Sequence, residues 1–341
     1  MKRVIAILLL TALCFTALAQ DYVVVDGGEV VLTFGGDCIL ASDRGESGEP
    51  DSFEQTVLQK GADWPFSGIK DVFLQDDITL INLECVLHSS EEGFKKRQHN
   101  FRGDPAYAMM LRDASVEVVN VANNHFVDYG SPGRQSTYQA LAAAGVAYAG
   151  YENLYIREVD GFLIGFGGIR ETIWLGNKKI MDTDIAELKA QGCDLIVYSL
   201  HFGTEYQEKH NELQTEMARR AIDLGADIVV GTHPHVVQGI EKYQGGLILY
   251  SLGNLVFGGN RSLTVFDGLL VRVRVPFFSG GVRGDMEVEL IPVATTGAIP
   301  ANDFRPVLLE GERKKEVLGL IQNDTDFPLS EPIVVERLVS K

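Results

Sequence analysis

Residues 221–240, AIDLGADIVVGTHPHVVQGI, contain in one stretch the unit that decides the fold. A helical pattern over residues 212–224 ends at Gly225, a residue typical of helix C-termini. The β-branched run at 228–230 follows, and its composition is that of a buried strand. This strand leads directly into the polar segment at 231–235. A helix that leads into a buried strand with a polar end is the repeating unit of a parallel α/β sheet.

The same alternation extends through most of the chain. Short apolar segments predict strands at 30–34, 78–83, 116–121, 162–166, 195–200, 228–230 and 247–252. Helical patterns predict helices at 105–114, 132–144, 184–191 and 212–224. Segments 269–276 and 286–293 predict a two-stranded ribbon around Gly280-Gly281, and 311–322 predicts a final helix. Strands that alternate with helices favour an α/β fold with a largely parallel sheet.

The first residues predict an exported protein. A basic start is followed by an apolar run over residues 4–15 and by small residues at 17 and 19, as in a cleavage site. This pattern is typical of a signal peptide, here residues 1–19, because the run is too short to cross a bilayer. An uncleaved anchor is the alternative. We expect a periplasmic, cell-surface or extracellular protein, with no transmembrane segment after cleavage.

Charge and motif content narrow the function classes. A formal net charge of −17 argues against a nucleic-acid partner. An acidic protein that acts on anions needs a local positive centre, which metal ions can supply. The chain contains neither a Walker-type phosphate loop nor a Gly-x-Ser-x-Gly elbow, which disfavours nucleotide kinases and serine hydrolases.

The cysteines beyond the predicted signal peptide do not form a disulfide framework. Their number is odd, since Cys38, Cys85 and Cys193 remain. Cys38 and Cys85 each follow a polar residue at a predicted strand end. We expect both to be small buried fillers, with a bridge between them as the alternative.

Polar side chains are concentrated where the predicted strands end. In open α/β sheets, ligands bind beyond the carboxyl ends of the strands. Five of six such ends carry a carboxylate, an imidazole or both, and four of the seven histidines lie among them. The side chains at these ends are Asp37, Asn82, Glu84, Asn123, Asn124, His125, His201, Glu205, His233, His235 and Asn254.

Taken singly, each of these residues has a simpler interpretation as a helix cap, a turn residue or a hydrogen-bonded histidine. The combination points to metal. Imidazoles, carboxylates and an amide carbonyl suit divalent Zn, Mn or Fe, and one carboxylate can bridge two ions. Two adjacent ions can promote a phosphoryl displacement. The residue types therefore predict a dinuclear metal site.

In chain order, these residues resemble the motif series of the capsule-synthesis CapA (poly-γ-glutamate biosynthesis) family, which is similar to the calcineurin-like metallophosphatases. The resemblance covers about residues 30–257. It rests on Gly36-Asp37, Asn82-Leu83-Glu84, Ala122-Asn123-Asn124-His125, His201-Phe202-Gly203-Thr204-Glu205, Gly231-Thr232-His233-Pro234-His235-Val236 with Gln238, and Ser251-Leu252-Gly253-Asn254.

The resemblance implies a four-layer α/β sandwich, in which two central mixed β-sheets pack face to face and helices cover the outside. This metallophosphatase-like domain would occupy residues 28–275. The β-ribbon, helix and tail at residues 276–341 would pack on it.

The resemblance also implies a site with two divalent ions, Mn, Zn or Fe. Two positions depart from the wider metallophosphatase pattern, because Ile39 replaces a usual histidine and Glu84 replaces a usual aspartate. The implied ligands are Asp37 and His235 for the first ion, Glu84 as the bridge, and Asn124, His201 and His233 for the second ion.

His125 would protonate the leaving group, since it follows a ligand and corresponds to the catalytic histidine. Four further residues would support the ligands or contact substrate: Asn82, Asn123, Glu205 and Asn254.

Three functions remain open at this stage. The first is a metal-dependent hydrolase or transferase acting on a phosphate ester or a γ-glutamyl bond. The second is a non-catalytic accessory protein that binds an anionic extracellular polymer through metal. The third is an exported structural domain, which the clustering of the polar residues disfavours. We expect an anionic substrate or polymer as partner, together with capsule-export machinery.

Overall fold

The structure, a computed structural model, describes residues 27–259, 263–278, 282–330 and 332–338. The predicted signal peptide at residues 1–19 and the predicted turn at Gly280-Gly281 lie outside these ranges. The strands are β1 (Gly27–Ile39), β2 (Ile78–Leu83), β3 (Val86–Leu87), β4 (Arg102–Gly103), β5 (Val118–Asn120), β6 (Ala147–Ala149), β7 (Tyr155–Val159), β8 (Phe162–Arg170), β9 (Leu195–His201), β10 (Ile228–Thr232), β11 (Ile240–Tyr243), β12 (Gly246–Leu249), β13 (Asn254–Phe257), β14 (Asp267–Phe278), β15 (Val282–Arg283), β16 (Met286–Ala294), β17 (Val307–Leu308) and β18 (Ile333–Val335). The helices are α1 (Phe53–Lys60), α2 (Lys70–Phe73), α3 (Ala108–Asp113), α4 (Gly130–Ala144), α5 (Glu171–Gly176), α6 (Lys179–Ala190), α7 (Glu212–Leu224) and α8 (Gly311–Gln322).

Two mixed sheets form the centre of the fold. Sheet A has the strand order β17-β16-β14-β1-β2-β5-β6, with β13, β15 and β18 paired to β1, β14 and β16. Sheet B has the order β11-β12-β10-β9-β8-β7. β1 runs parallel to β2 and β13, and β9 runs parallel to β8 and β10. Parallel neighbours bring their carboxyl ends to one edge, where the polar segments follow.

Three buried cores separate four layers. The central core lies between the sheets and includes Phe34 of β1 and Val197 of β9. A second core packs Leu141 of α4 on the outer face of sheet A. A third packs Trp174 of α5 and Met217 of α7 on the outer face of sheet B. Helices therefore cover two sheets packed face to face, which confirms the predicted four-layer α/β sandwich.

Strand β1 differs from the prediction close to the site. The sequence predicts a strand over residues 30–34 with Asp37 after it, but β1 continues and Asp37 lies within it. The register between β1 and β2 shifts between Phe34 and Asp37. Gly36 lies at this irregularity, where a Cβ atom would overlap the carbonyl oxygen of Gly253. Glycine permits this close approach, so the strand bends and continues where the composition suggests an end.

Other differences concern the ends of elements. The helix predicted at 105–114 is a short 3-10 turn followed by α3, because the Asp104 side chain caps the turn and Pro105 occupies its first position. The helix predicted at 184–191 begins at Lys179. The strand predicted at 247–252 ends at Leu249. The elements without a counterpart among the predictions are helices α1, α2 and α5 and strands β3, β4, β6, β7, β11, β13, β15, β17 and β18.

The C-terminal segment shares the sheet and the core of the rest of the chain. Strand β14 continues to Phe278, beyond the predicted boundary at residue 275, and pairs antiparallel with β16. Strands β17 and β18 pair with β16. Val317 and Ile321 of α8 are buried in the central core. No helix in the described ranges is long and apolar enough to cross a membrane.

The buried carboxyl group of Asp184, on α6, should make the stability of the protein depend on pH. The Tyr198 hydroxyl donates a 2.7 Å hydrogen bond to Asp184, whose pKa burial raises from 3.8 to about 6. The folded state therefore holds this proton more tightly than the unfolded state. As the pH rises from about 4 to about 6, the free energy of unfolding of the wild type should therefore fall relative to that of Asp184→Asn. The expected fall is about 1–2 kcal/mol, allowing for partial solvent screening. Urea unfolding at several pH values measures this, and a constant difference from pH 4 to 7 would contradict it.

Candidate metal centre

The polar strand ends converge at one place between the two sheets. Asp37, Glu84 and His235 each offer one ligand atom, and these atoms lie within 4.8 Å of one another. Glu84, His201 and His233 form a second group within the same limit. The two groups share Glu84. The structure thus brings two of the predicted carboxylates and three of the predicted imidazoles into two adjacent clusters joined by one carboxylate.

Glu84 is the centre of this arrangement. Its side chain is fully buried, and neither carboxylate oxygen has a hydrogen-bond partner within the described ranges. Its nearest imidazole is that of His201, with Nε2 at 3.5 Å from Oε1. Burial and the negative charge of Asp37 raise the pKa of Glu84 well above its usual value. A buried carboxylate without donors requires an explanation, and a bound cation is the partner that fits it.

Asp37 is held by three groups from different parts of the chain. Asn82 Nδ2 donates to Oδ1 at 2.7 Å, and the backbone N–H of His233 donates to Oδ2 at 3.1 Å. Nδ1 of His235 lies 3.3 Å from Oδ2. Burial alone would raise the pKa of Asp37, but the hydrogen bond and charge of His235 hold it below its usual value. Asp37 therefore carries its negative charge in a fixed orientation.

The segment from His233 to His235 has an unusual backbone. His233 has a φ of +100° and His235 a φ of +58°, which non-glycine residues seldom adopt. The two rings lie 6.0 Å apart between centroids, and each belongs to a different one of the two groups that share Glu84. Nδ1 of His233 is buried and has no hydrogen-bond partner among the described residues. Strain of this kind is concentrated at functional sites, and an unpaired buried nitrogen fits a metal ligand.

The three imidazoles have different electrostatic surroundings. Burial lowers the pKa of His201 well below its usual value and lowers that of His233. Burial also acts to lower the pKa of His235, but Glu84 and Asp37 raise it to about 10. His201 and His233 are therefore neutral, the form that coordinates metal.

A set of amides lies behind the ligands and fixes them. Asn82 accepts hydrogen bonds from Asn120 at 2.8 Å and from Asn123 at 3.2 Å while it donates to Asp37. Asn254 Oδ1 lies 2.9 Å from Nδ1 of His235. Interactions of this kind orient metal ligands. Of the predicted supporting residues, Asn82, Asn123 and Asn254 thus lie behind the clusters.

Two further predicted residues, Asn124 and Glu205, lie next to the histidines of the clusters. Oδ1 of Asn124 lies 2.6 Å from Nε2 of His201, beside the second cluster. Glu205 is exposed and forms a third potential ligand group with His233 and His235. Ile39 is fully buried where the wider pattern has a histidine, so this position offers no ligand.

His125 lies beside the clusters in a pair with a buried carboxylate. Its Nδ1 lies 2.9 Å from Oδ2 of Asp128, whose side chain is fully buried. Asp128 also accepts from the backbone N–H of Phe101 at 3.0 Å and lies 3.4 Å from Arg97. Asp128 therefore holds Nδ1–H and the plane of the ring, which leaves Nε2 for proton exchange.

Sequence reasoning missed four residues of the site. Thr232 Oγ1 lies 3.0 Å from Nδ1 of His201, Asn120 supports Asn82, and Arg170 lines a cavity of about 90 Å³ with Asn124 and both imidazoles of the second cluster. Asp128, which pairs with His125, is the fourth, and it was not among the predicted site residues. Its position three residues after a predicted proton donor, on the same turn, was a signal that could have identified it.

The two cysteines next to the ligands are buried free thiols, as expected. Burial and the nearby Cys85 raise the pKa of Cys38 well above its usual value, and burial raises that of Cys85 to about 12. They act as small apolar fillers beneath the site, and the alternative of a bridge between them does not occur.

The chain matches a known family over most of the region that builds this centre. Residues 31–259 match the model described as Bacterial capsule synthesis protein PGA_cap. The PGA biosynthesis protein CapA of Bacillus subtilis is 29% identical over 320 residues, which cover 87% of this chain and 81% of that protein. The capsule biosynthesis protein CapA of Bacillus anthracis is 29% identical over 314 residues, which cover 84% and 76%.

Solved structures with low sequence identity also align with the chain. The NAD nucleotidase of Haemophilus influenzae aligns with a TM-score of 0.45 and 12% identity, over 88% of this chain and 57% of that one.

Proposed function

This chain belongs to the PGA_cap family of bacterial capsule synthesis proteins, and we propose that it is an exported, metal-dependent, phosphoesterase-like hydrolase or transferase. Its substrate would be an anionic phosphate ester or γ-glutamyl chain used in making an extracellular capsule. The family and the metallophosphatase-like sandwich support a role of a phosphoesterase-like protein in capsule synthesis. The chemistry of the clustered side chains supports the reaction class.

One observation carries the proposal: two ligand clusters share a buried carboxylate whose oxygens accept no hydrogen bond from any described residue. Asp37, Glu84 and His235 would hold one divalent ion, and Glu84, His201 and His233 a second, with Asn124 beside it. Such ions would supply Lewis-acid activation of water and of a phosphoryl or carbonyl oxygen.

His125 gives the site a proton donor that a simple binding protein does not need. Asp128 holds the Nδ1 side of the ring at 2.9 Å, so Nε2 can deliver a proton to a leaving oxygen or nitrogen. The competing function is a non-catalytic accessory protein that binds an anionic polymer through metal. The buried Ile39 favours it, because the first cluster has one imidazole fewer than the wider pattern.

Hydrolysis by the full chain, measured on a panel of substrates, tests the proposal. Phosphomonoesters, phosphodiesters and γ-glutamyl oligomers are incubated with Mn²⁺, with Zn²⁺ or with chelator. We expect metal-dependent turnover of at least one class and none in chelator. Metal-dependent binding of γ-linked polyglutamate without turnover of any substrate would replace the enzyme with the accessory protein.

A further inference from the structure

A second cavity adjoins the metal centre and has no role in metal binding or in proton transfer by His125. Its volume is about 260 Å³, and it lies between the carboxyl ends of β5 and β8 and the helices α4 to α6. Arg170 lines both this cavity and the smaller cavity that His201 and His233 face. Arg170 is also the parallel partner of His201 in sheet B. A ligand in the cavity would therefore touch Arg170 within reach of the second cluster.

Two arginines of this cavity have no carboxylate partner in the part of the chain that the structure describes. Most arginines in the described part of the chain form ion pairs, including Arg219 with Glu241 and Arg220 with Asp182. Arg134 and Arg170 both line the cavity, and neither forms an ion pair or a hydrogen bond with a described residue. Nε of Arg170 is buried without a partner. The two guanidinium groups are therefore open to an anionic ligand, and the buried Nε of Arg170 requires a hydrogen-bond partner.

Tyr151 connects the cavity with the catalytic turn. Its hydroxyl donates a 2.6 Å hydrogen bond to the carbonyl oxygen of Asn123, next to the predicted ligand Asn124. Burial raises the pKa of Tyr151, and the positive charges of Arg170 and Arg134 oppose that rise, so both guanidinium groups lie near this phenol. Arg134, Tyr151 and Arg170 all line this cavity.

The remaining walls limit the chemistry of a ligand. They are formed mainly by apolar side chains. Glu152 also lines the cavity but is exposed, and Glu171 of the smaller cavity accepts from the backbone N–H of Gly203 at 2.9 Å. The apolar lining residues are Ala122, Ile169, Ile173 and Ile180.

We propose that this cavity is a subsite for a carboxylate borne on a short aliphatic chain, held by Arg134 and Arg170 beside the metal centre. Guanidinium groups match carboxylates with two parallel hydrogen bonds, and the apolar walls suit methylene groups. The free carboxylate of a γ-linked glutamyl unit has this composition. The inference rests on the proposed function, because it gives the same site a substrate class.

Equilibrium binding, not turnover, tests the subsite, so an inactive protein still gives an answer. Calorimetric titration of the full chain uses γ-linked tri-glutamate, the same trimer with its α-carboxylates and its terminal γ-carboxylate amidated, and inorganic phosphate. The variants are Arg134→Gln, Arg170→Gln and the control Arg157→Gln. Arg157 lies on β7, outside the cavity lining, and forms no ion pair with another described residue. Melting temperatures check that each variant is folded.

We expect Arg134→Gln and Arg170→Gln each to weaken binding of tri-glutamate about tenfold or more, the usual cost of a hydrogen bond to a charged group. Arg157→Gln should bind like the wild type. The amidated trimer should bind weakly and be insensitive to all three substitutions. Phosphate binding should depend on metal and not on the two arginines.

Several results would overturn the subsite. These are equal binding of tri-glutamate by wild type and both cavity variants, equal binding of the amidated trimer, or no binding of tri-glutamate at all. Loss of phosphate binding in the arginine variants, with tri-glutamate unaffected, would assign the cavity to phosphoryl groups and contradict the proposal. Failure of the proposed function can be distinguished from failure of the subsite. In that case phosphate binds without metal or no substrate is turned over, while the two arginine substitutions still weaken binding of tri-glutamate.

Discussion

Glu84→Gln should remove metal binding without harming the fold. Glutamine has nearly the same shape, but it has no charge to bridge two clusters. Metal affinity should fall by at least about a hundredfold, since even residues behind the ligands contribute about 10–100-fold. Metal raises the free energy of unfolding of the wild type by about 2.7 kcal/mol at 100 times Kd, and this gain should be lost. In chelator, the variant should melt at the same temperature as the wild type or higher, because a buried carboxylate without donors is costly.

Asp76→Asn provides the matched control for this experiment. Burial raises the pKa of Asp76 to about 6, and one of its oxygens also has no hydrogen-bond partner in the described part of the chain. Asp76 lies outside the ligand groups. The metal-dependent rise in melting temperature should therefore persist in Asp76→Asn. If Glu84→Gln also retains that rise, Glu84 is not a ligand. If it melts lower in chelator, the carboxylate has a structural role.

His125→Ala should lower turnover of the active substrate at least about a hundredfold, the usual contribution of a positioned proton donor. Metal content and melting temperature should change little, because His125 belongs to neither ligand cluster. Asp128→Asn should also slow turnover, since it removes the carboxylate that orients the ring. The pH profile of kcat separates the two variants. Asp128→Asn leaves the proton donor in place and should change the profile, whereas His125→Ala removes the donor and with it the limb of the profile that reports its titration.

His210→Ala is the control for His125→Ala. His210 forms the same type of pair, with Nδ1 at 2.9 Å from a carboxylate oxygen of Asp324, but it lies outside the ligand clusters. Its ring also stacks on Tyr250, so its removal should affect stability and leave turnover near the wild-type rate. Wild-type turnover in His125→Ala would exclude the proton-donor role.

The alternation of strands and helices and the residues of the clusters were predictable because both depend on local patterns. Buried strands have a recognisable composition, and parallel strands bring their ends together, so Asp37 and His201 were expected to be close. The four-layer arrangement followed from the family resemblance. The exact end of β1 was not predictable, because its continuation depends on the approach of Gly253 to Gly36, a contact between distant segments.

The cavity arginines were not predictable from local patterns. Arg170 ends β8 four residues beyond the predicted strand, because Gly167 and Gly168 interrupt the apolar run. Arg134 lies on α4, and only the tertiary fold brings it to the same cavity. Asn120 lies within an apolar strand, where composition does not indicate a role. Such residues act through neighbours that are remote in sequence.

The most direct measurement of the metal centre is anomalous diffraction from crystals of the full chain equilibrated with Mn²⁺, collected at the manganese absorption edge. Two peaks are predicted, one within the group of Asp37, Glu84 and His235 and one within the group of Glu84, His201 and His233. The peaks should be absent in crystals of Glu84→Gln prepared in the same way. Wild-type crystals with no peak at either group, or with peaks only at surface carboxylates, would contradict the proposed dinuclear metal site.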